Sequence, residues 1–346
     1  TLSSSSAASD VYKRQGYDLY DVQQTREYGY GKHRNVLVSL QMERLLNAAG
    51  PTRGEIVRPS DGKEPRSVAF ILCAGSREDA GLQYCCRVGC ITAVKQACML
   101  KDHLKEGVTV YICYTDLRTF GKGHEEMYTR AREAGVVFVR GRPSEVQALP
   151  DGSLVFDVFD TITQRLLRIN ADMVVLQPGL VPRPETEALQ DILKLQTSPD
   201  GFLLEAHPKL RPNETVVDGV FIAGTVQGPK DITDTVAHAG AAAATAGSLM
   251  ARGVFEVSPI IAAVDEDACS GCGKCVSVCP YQAISLDEKA GTAQVLEAKC
   301  KGCGSCSSTC PTGAIQLRHY RDKQVLAMIE GQVPASPSGS STDLPD

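Results

Sequence analysis

No apolar run in this chain of 346 residues reaches the ~20 residues that a bilayer-spanning helix needs. The most apolar stretch, His238 to Ala251, is alanine-rich and broken by glycine, so the sequence reads as that of a soluble protein. Long basic runs are missing too. Lys and Arg number 36 against 41 Asp and Glu, a formal charge of -5, which disfavours nucleic acid as a partner. The six histidines show no ligand spacing, and no Ser/His/Asp or Cys/His constellation suggests nucleophilic catalysis. The sequence carries no charged-then-apolar signal peptide. GxGxxG, the loop whose N–H groups cradle a pyrophosphate, occurs nowhere, and tryptophan is lacking altogether.

Cysteine is what the chain has in excess, with 14 residues. At 43% hydrophobic and 22% charged, the composition is that of a globular protein, and the length allows two or three domains. Disulfides would suit a short secreted domain. Here the chain is long and its cysteines crowd at two- and three-residue intervals, which favours metal ligation in a reducing, cytoplasmic compartment.

Eight cysteines form two runs: Cys269-x2-Cys272-x2-Cys275-x3-Cys279-Pro280 and Cys300-x2-Cys303-x2-Cys306-x3-Cys310-Pro311. This is the bacterial ferredoxin run written twice. Three thiolates wrap one cubane and the fourth, turned by proline, reaches across to the other. The expected ligands are Cys269, Cys272, Cys275 and Cys310 for one 4Fe-4S cluster, and Cys300, Cys303, Cys306 and Cys279 for the second. Each run is followed by a similar tail, Tyr281-Gln-Ala-Ile-Ser285 and Thr312-Gly-Ala-Ile-Gln316, which marks an internal repeat. CxxC spacing also suits zinc, but two complete runs each closed by proline argue for clusters.

The other six cysteines lie between Cys73 and Cys113. Ser67 to Cys73 reads as a buried strand, Ile91 to Leu104 as a helix and Val108 to Cys113 as a second strand, together a βαβ unit. Where a dinucleotide fold would carry its glycine loop, this chain carries Cys85, Cys86 and Cys90. With Cys73 they supply four thiolates for a third 4Fe-4S cluster of irregular spacing, or alternatively a redox-active pair or packed core thiols. Cys98 and Cys113 read as core residues.

Several segments together carry a family resemblance: Glu27-Tyr-Gly-Tyr-Gly31, Val57 to Glu64, Cys73-Ala-Gly-Ser-Arg77, Tyr84 to Cys90, Phe120-Gly-Lys-Gly123, Arg140 to Glu145 and Gln227-Gly-Pro-Lys-Asp-Ile232. From about Gly16 to Gln332 the chain resembles the A-type component of heterodisulfide reductase, an iron-sulfur flavoprotein. That resemblance implies an α/β thioredoxin-reductase-like fold of the FAD/NAD(P) nucleotide-binding type, incomplete here, followed by an α+β bacterial-type 2x4Fe-4S ferredoxin domain. It implies FAD in the full-length protein and electron transfer, with bifurcation, between flavin and clusters. The implied partners are B- and C-type subunits, ferredoxin and a hydrogenase- or dehydrogenase-linked electron donor. Two other readings stay open: a non-catalytic polyferredoxin-type electron carrier or scaffold, and an NAD(P)H-dependent oxidoreductase resembling the glutamate synthase small subunit.

The resemblance also assigns residues. It places a cluster on the middle cysteines, although here Gly89 precedes Cys90 where the family has adjacent cysteines, and Cys86 stands where serine is common. Lys95 and Glu43 match charged positions beside the flavin, where a cation would favour the reduced, anionic ring. Phe221-Ile-Ala-Gly224-Thr225 to Ile232 resembles a second FAD motif, a strand, a glycine turn and a helix start. Its candidate contacts are Gly224, Thr225, Gln227, Gly228, Lys230, Asp231 and Ile232. Thr225 replaces the aspartate that related disulfide reductases carry.

The expected organisation is a partial FAD-domain segment at 16–62, an NAD(P)-fold-like domain carrying the cysteine loop at 63–176, and a returning FAD segment at 177–255. The ferredoxin domain with a closing helix follows at 256–332, then a disordered Pro/Ser-rich tail at 333–346. Residues 1–15 are expected to be non-native, because Asp10 to Gln15 back-translates to a transposon end used in library preparation. The chain thus reads as the C-terminal half of a flavoprotein that would load its ferredoxin clusters by itself and bind FAD weakly or not at all.

Overall fold

The computed structural model describes residues 16–104, 107–253, 259–287 and 289–332. The segment 1–15 and the expected tail at 333–346 lie outside the described residues. Among the described residues the chain divides into two compact units, the first within Thr1–Glu187, Thr197–Leu203 and Ala223–Gly240, the second within Ala188–Gln196, Leu204–Ile222 and Ala241–Asp346.

The first unit holds β1 (Asp18–Leu19), β2 (Val36–Val38), β3 (Ser67–Ala74), β4 (Thr109–Tyr114), β5 (Val137–Arg140), β6 (Gln147–Ala148), β7 (Leu154–Asp160), β8 (Arg165–Ala171), β9 (Met173–Pro178) and β10 (Leu180–Val181). Five strands form a parallel sheet in the order β2-β9-β3-β4-β5, and β6-β7-β8 form an antiparallel one. A parallel sheet is covered on both faces, so its central strands are largely apolar. All six residues of β9 are buried, as are Val68 to Ala74 of β3. Successive side chains of β3 alternate between two cores. Val68, Phe70 and Leu72 pack with the helices Ser39–Leu46 and Gly89–Leu104, while Ala69 and Ile71 pack with residues of β7 and β8.

That alternation breaks at the end of β3. The register against β9 shifts between Ile71 and Ala74, and Cys73 adopts a left-handed backbone, with φ +59°. Such a conformation is uncommon outside glycine. The break puts Leu72 and Cys73 in the same core and turns the chain into the cysteine loop. The βαβ unit expected there is present as β3, the helix Gly89–Leu104 and β4, with β3 and β4 parallel neighbours. Cys98 and Cys113 are buried in the two cores.

The second unit contains β11 (Ala262–Val264), β12 (Ile284–Leu286), β13 (Ala293–Val295) and β14 (Ile315–Leu317). They pair antiparallel as β11-β14 and β12-β13, so the first strand joins the last around the inner pair. Two short helices, Lys274–Val278 and Ser305–Thr309, each follow a left-handed glycine, Gly273 and Gly304. The repeat seen in the sequence is therefore a repeat in space. A helix at Asp322–Gln332 closes the described part. Phe221, expected to start a strand, makes only one bridge, to Glu214. Ile222 N–H donates to Asn213 and Thr215 N–H to Val220, so this segment folds on its own preceding loop, too tightly for a ladder.

Candidate functional site

The eight C-terminal cysteines surround two cavities. Cys269, Cys272, Cys275 and Cys310 line one; Cys279, Cys300, Cys303 and Cys306 line the other. The last cysteine of each run thus lies with the first three of the other. Each helix presents one buried cysteine, Cys275 or Cys306, and ends at the crossing residue, Cys279 or Cys310, where the backbone turns extended.

Backbone N–H groups point at the sulfurs in repeated fashion. Ala293 N–H donates to Cys269 Sγ at 3.5 Å, and Ala262 N–H to Cys300 Sγ at 3.3 Å, from β13 and β11 respectively. Ala283 N–H donates to Cys279 Sγ at 3.3 Å. Burial acts to raise the Cys310 thiol. The Thr312 hydroxyl and the N–H groups of Ile315, Thr312 and Ala314 outweigh it and bring the thiol down to about 7. Burial alone dominates at Cys306, pushed up to about 11. A donor set of four thiols with N–H groups aimed at sulfur fits an iron-sulfur cubane, whose negative charge those groups offset.

Glycine is required at two equivalent points of these runs. A Cβ on Gly271 would stand 2.3 Å from the Gly291 carbonyl oxygen, and one on Gly302 would stand 2.2 Å from that of Ile260. Both glycines are left-handed, with φ +67° and +63°. Lys299, directly before Cys300, is buried, a feature the sequence does not announce. Lys301 lines the second cavity and pairs with Asp218 at 2.8 Å.

In the first unit, Cys73, Cys85, Cys86 and Cys90 come within electrostatic reach of one another. Cys85 is held well below the usual thiol range by a hydrogen bond from Cys86, helped by the Arg87 N–H and by Arg118. Its partner Cys86 is pushed up correspondingly, by that same bond and by burial. Gly89 N–H donates to Cys86 Sγ at 3.3 Å, and a Cβ on Gly89 would stand 3.0 Å from that sulfur. The Cys86 sulfur therefore occupies the room that a side chain at 89 would need. Arginines ring the thiols. Arg77 bonds Cys73 and Asp116, and Arg87 bonds the Pro229 carbonyl and pairs with Asp234 at 2.8 Å. Among the described residues, no three His, Cys, Asp or Glu side chains close around a single ion. A cubane spreads its ligands over four irons, a wider arrangement.

The expected flavin motif is a 3-10 turn, Gly224–Gln227, with Gly224 left-handed at φ +71°. The helix Ile232–Arg252 begins where expected. Asp231 caps it, its carboxylate accepting from Asp234 N–H at 2.7 Å. Gly224 N–H donates to His238 Nδ1 at 3.0 Å, Lys230 Nζ donates to Gln227 Oε1 at 2.7 Å, and Thr225 is buried. Gly228 follows the turn, and Ile232 is exposed.

Lys95 and Glu43 are brought together by the helices Gly89–Leu104 and Ser39–Leu46, with Nζ 2.5 Å from Oε1. Gln96, fully buried, donates to Glu43 Oε2 and to the Ser39 carbonyl, each at 3.0 Å, and accepts from Gln177. Periodicity alone gives no sign of this support.

The comparisons with known proteins agree with the second unit. A 4Fe-4S dicluster domain family matches residues 262–317. The protein is thus of the class of iron-sulfur proteins with a dicluster ferredoxin module joined to an α/β unit. The chain is 51% identical over 325 residues to the iron-sulfur A component of the CoB–CoM heterodisulfide reductase of Methanocaldococcus jannaschii, covering 92% of this chain and 49% of that protein. It is 51% identical over 318 residues to the A component of the H2:CoB-CoM heterodisulfide, ferredoxin reductase of Methanothermobacter thermautotrophicus, covering 91% of this chain and 48% of that one. The chain belongs to the family of heterodisulfide reductase A components, and spans about half the length of the curated relatives it matches. The thioredoxin reductase of T. acidophilum is similar with a TM-score of 0.41 and 16% identity, covering 68% of this chain and 64% of that one.

Proposed function

We propose that this chain is an electron-transfer part of a heterodisulfide-reductase-like oxidoreductase complex. The observation that carries the reading is the pairing of each cysteine run with the last cysteine of the other around its own cavity. Two 4Fe-4S clusters would be held by Cys269, Cys272, Cys275 and Cys310, and by Cys300, Cys303, Cys306 and Cys279. A third would be held by Cys73, Cys85, Cys90 and Cys86, the last supported as fourth ligand by the position of its sulfur against Gly89. Clusters move single electrons, and FAD, when bound, exchanges electrons singly or in pairs and so allows bifurcation.

The chain's own residues would then have separate tasks. Backbone N–H groups of β11 and β13 stabilise ligand charge at Cys300 and Cys269. The turn Gly224–Gln227 and the start of the helix Ile232–Arg252 would approach the flavin, while Lys95, held by Glu43, would present its ammonium to the ring. The names of these relatives support heterodisulfide chemistry, with ferredoxin and other subunits as partners. B- and C-type subunits and a hydrogenase- or dehydrogenase-linked donor complete the proposed assembly. Among the described residues no helix is long and apolar enough to cross a membrane, and a cytoplasmic location is proposed with the rest. The domain limits given above are proposed with it.

Anaerobic reconstitution of the chain with iron and sulfide tests the reading. The expected result is about eight irons from the C-terminal runs and about four more from the middle cysteines. Iron content of four or fewer, with no paramagnetic signal on reduction, would overturn it.

A further inference from the structure

Lys299 is 7% exposed, and among the described residues no carboxylate lies close enough to oppose its charge. Lysine is almost never so buried unless paired. Cys279, the crossing thiol of the second cavity, is the acidic group whose field reaches it, and a second cation, Lys194, acts against its charge. Lys301, which lines the same cavity, is already neutralised by Asp218. The first cavity differs. At the position matching Lys299, directly before Cys269, stands Ala268, and the residues ahead of it are the exposed Asp265, Glu266 and Asp267. One half of the repeat thus carries a buried cation where the other carries alanine, and two more carboxylates ahead of it, since Glu297 matches only Glu266.

A cubane ligated by four thiolates is an anion that becomes more negative on reduction, and net charge nearby sets its potential. We infer that Lys299 sets the two clusters apart in reduction potential, its buried ammonium favouring the reduced state of the cluster on Cys279, Cys300, Cys303 and Cys306. That cluster is then the better electron acceptor of the two. The step is the passage of one electron from the first cluster to the second, supplied by a low-potential one-electron donor. No bond forms or breaks.

The inference rests on the proposal that both cavities hold clusters, and the two are read out separately. Iron and sulfide content and the integrated paramagnetic signal of the dithionite-reduced full chain report occupancy. A mediated redox titration followed by the same signal reports order. The unaltered chain is expected to reduce in two waves. In Lys299→Met the higher wave should fall, the ratio of reduced to oxidised cluster at fixed potential dropping about tenfold, or 59 mV for one electron. Lys299→Arg should keep it in place, and Ala268→Lys should raise the lower wave. Full cluster content with both waves unmoved in Lys299→Met overturns the inference, as does an equal shift in Lys299→Arg. Should Lys299→Met not load, Lys299→Gln decides: it too should lower the higher wave, and an unmoved wave at full cluster content overturns the inference.

Discussion

Cys279 lines the second cavity with Cys300, whereas Cys275, one helical turn before it, lines the first. The helix Lys274–Val278 stands between the two cavities and ends at Cys279, where the backbone turns to φ -76° and ψ 107°. Removing the crossing thiol therefore separates the two cavities. Cys279→Ala should cost the cluster of the second run and spare that of the first, with roughly half of the C-terminal iron lost. Cys310→Ala should do the converse. Paramagnetic spectra of the reduced variants check this, and loss of the first run's signal in Cys279→Ala would contradict the crossing.

Two left-handed glycines give a second test. Gly302 has its missing Cβ 2.2 Å from the Ile260 carbonyl oxygen, whereas Gly313, at φ +65°, has open space around it. Gly313→Ala should cost only the left-handed conformation, about 1 to 2 kcal/mol. Gly302→Ala should cost more, because backbone must also move. The rate at which cluster absorbance decays at a fixed urea concentration ranks the two. Equal decay would mean that the close approach to Ile260 is not what reserves residue 302 for glycine.

What could be read from the sequence follows from how local each signal is. The cysteine runs announce themselves by spacing, and β3 by its apolar run, because a doubly covered strand needs few polar residues. The helix Gly89–Leu104 was legible for a similar reason, its buried residues recurring on one face. Contacts between distant segments were not. Gln96 looks like any polar helix residue until Ser39, Glu43 and Gln177 are placed around it. Lys299 looks like a surface lysine, and Arg118, which acts on Cys85, stands far from it in the sequence. Phe221 to Ala223 has the composition of a strand, but backbone pairing with Asn213 takes it first.

The middle cysteines differ in ionisation, and this should appear in chemistry. In the metal-free chain, iodoacetamide should take Cys85 first at neutral pH. The Cys86 hydrogen bond, the Arg87 N–H and Arg118 all favour the Cys85 thiolate, against the cost of its partial burial. Burial pushes Cys90 up to about 11 and Cys113 up to about 12, so both should react slowly until the solution is strongly alkaline. Arg118→Met should slow Cys85 severalfold at pH 6 and leave Cys113 unchanged. Peptide mass spectrometry after timed labelling resolves the sites, and uniform labelling of Cys85, Cys90 and Cys113 would refute the ordering.

Burial acts to raise the Glu43 carboxyl, but the hydrogen bonds from Lys95 and Gln96 outweigh it and hold the group below its ordinary value. A carboxyl lower in the folded than in the unfolded chain stabilises the fold above its unfolded value of ~4.3, and that contribution fades as pH falls through the folded value. Lys95→Met should thus be less stable than the unaltered chain at pH 6, and the gap should close below about pH 4. With side chains 42% and 38% exposed, the pair should contribute only about 0.2 to 1 kcal/mol. Gln96→Leu acts differently. It strips a buried donor from the Ser39 carbonyl as well as from Glu43, costing about 1 to 3 kcal/mol, and the part owed to Ser39 does not depend on pH. Urea unfolding between pH 3 and 7 separates the two. A gap in Lys95→Met that stayed constant across that range would mean that the ion pair contributes nothing to stability, and that Lys95 matters to the fold only through the packing of its methylene stem.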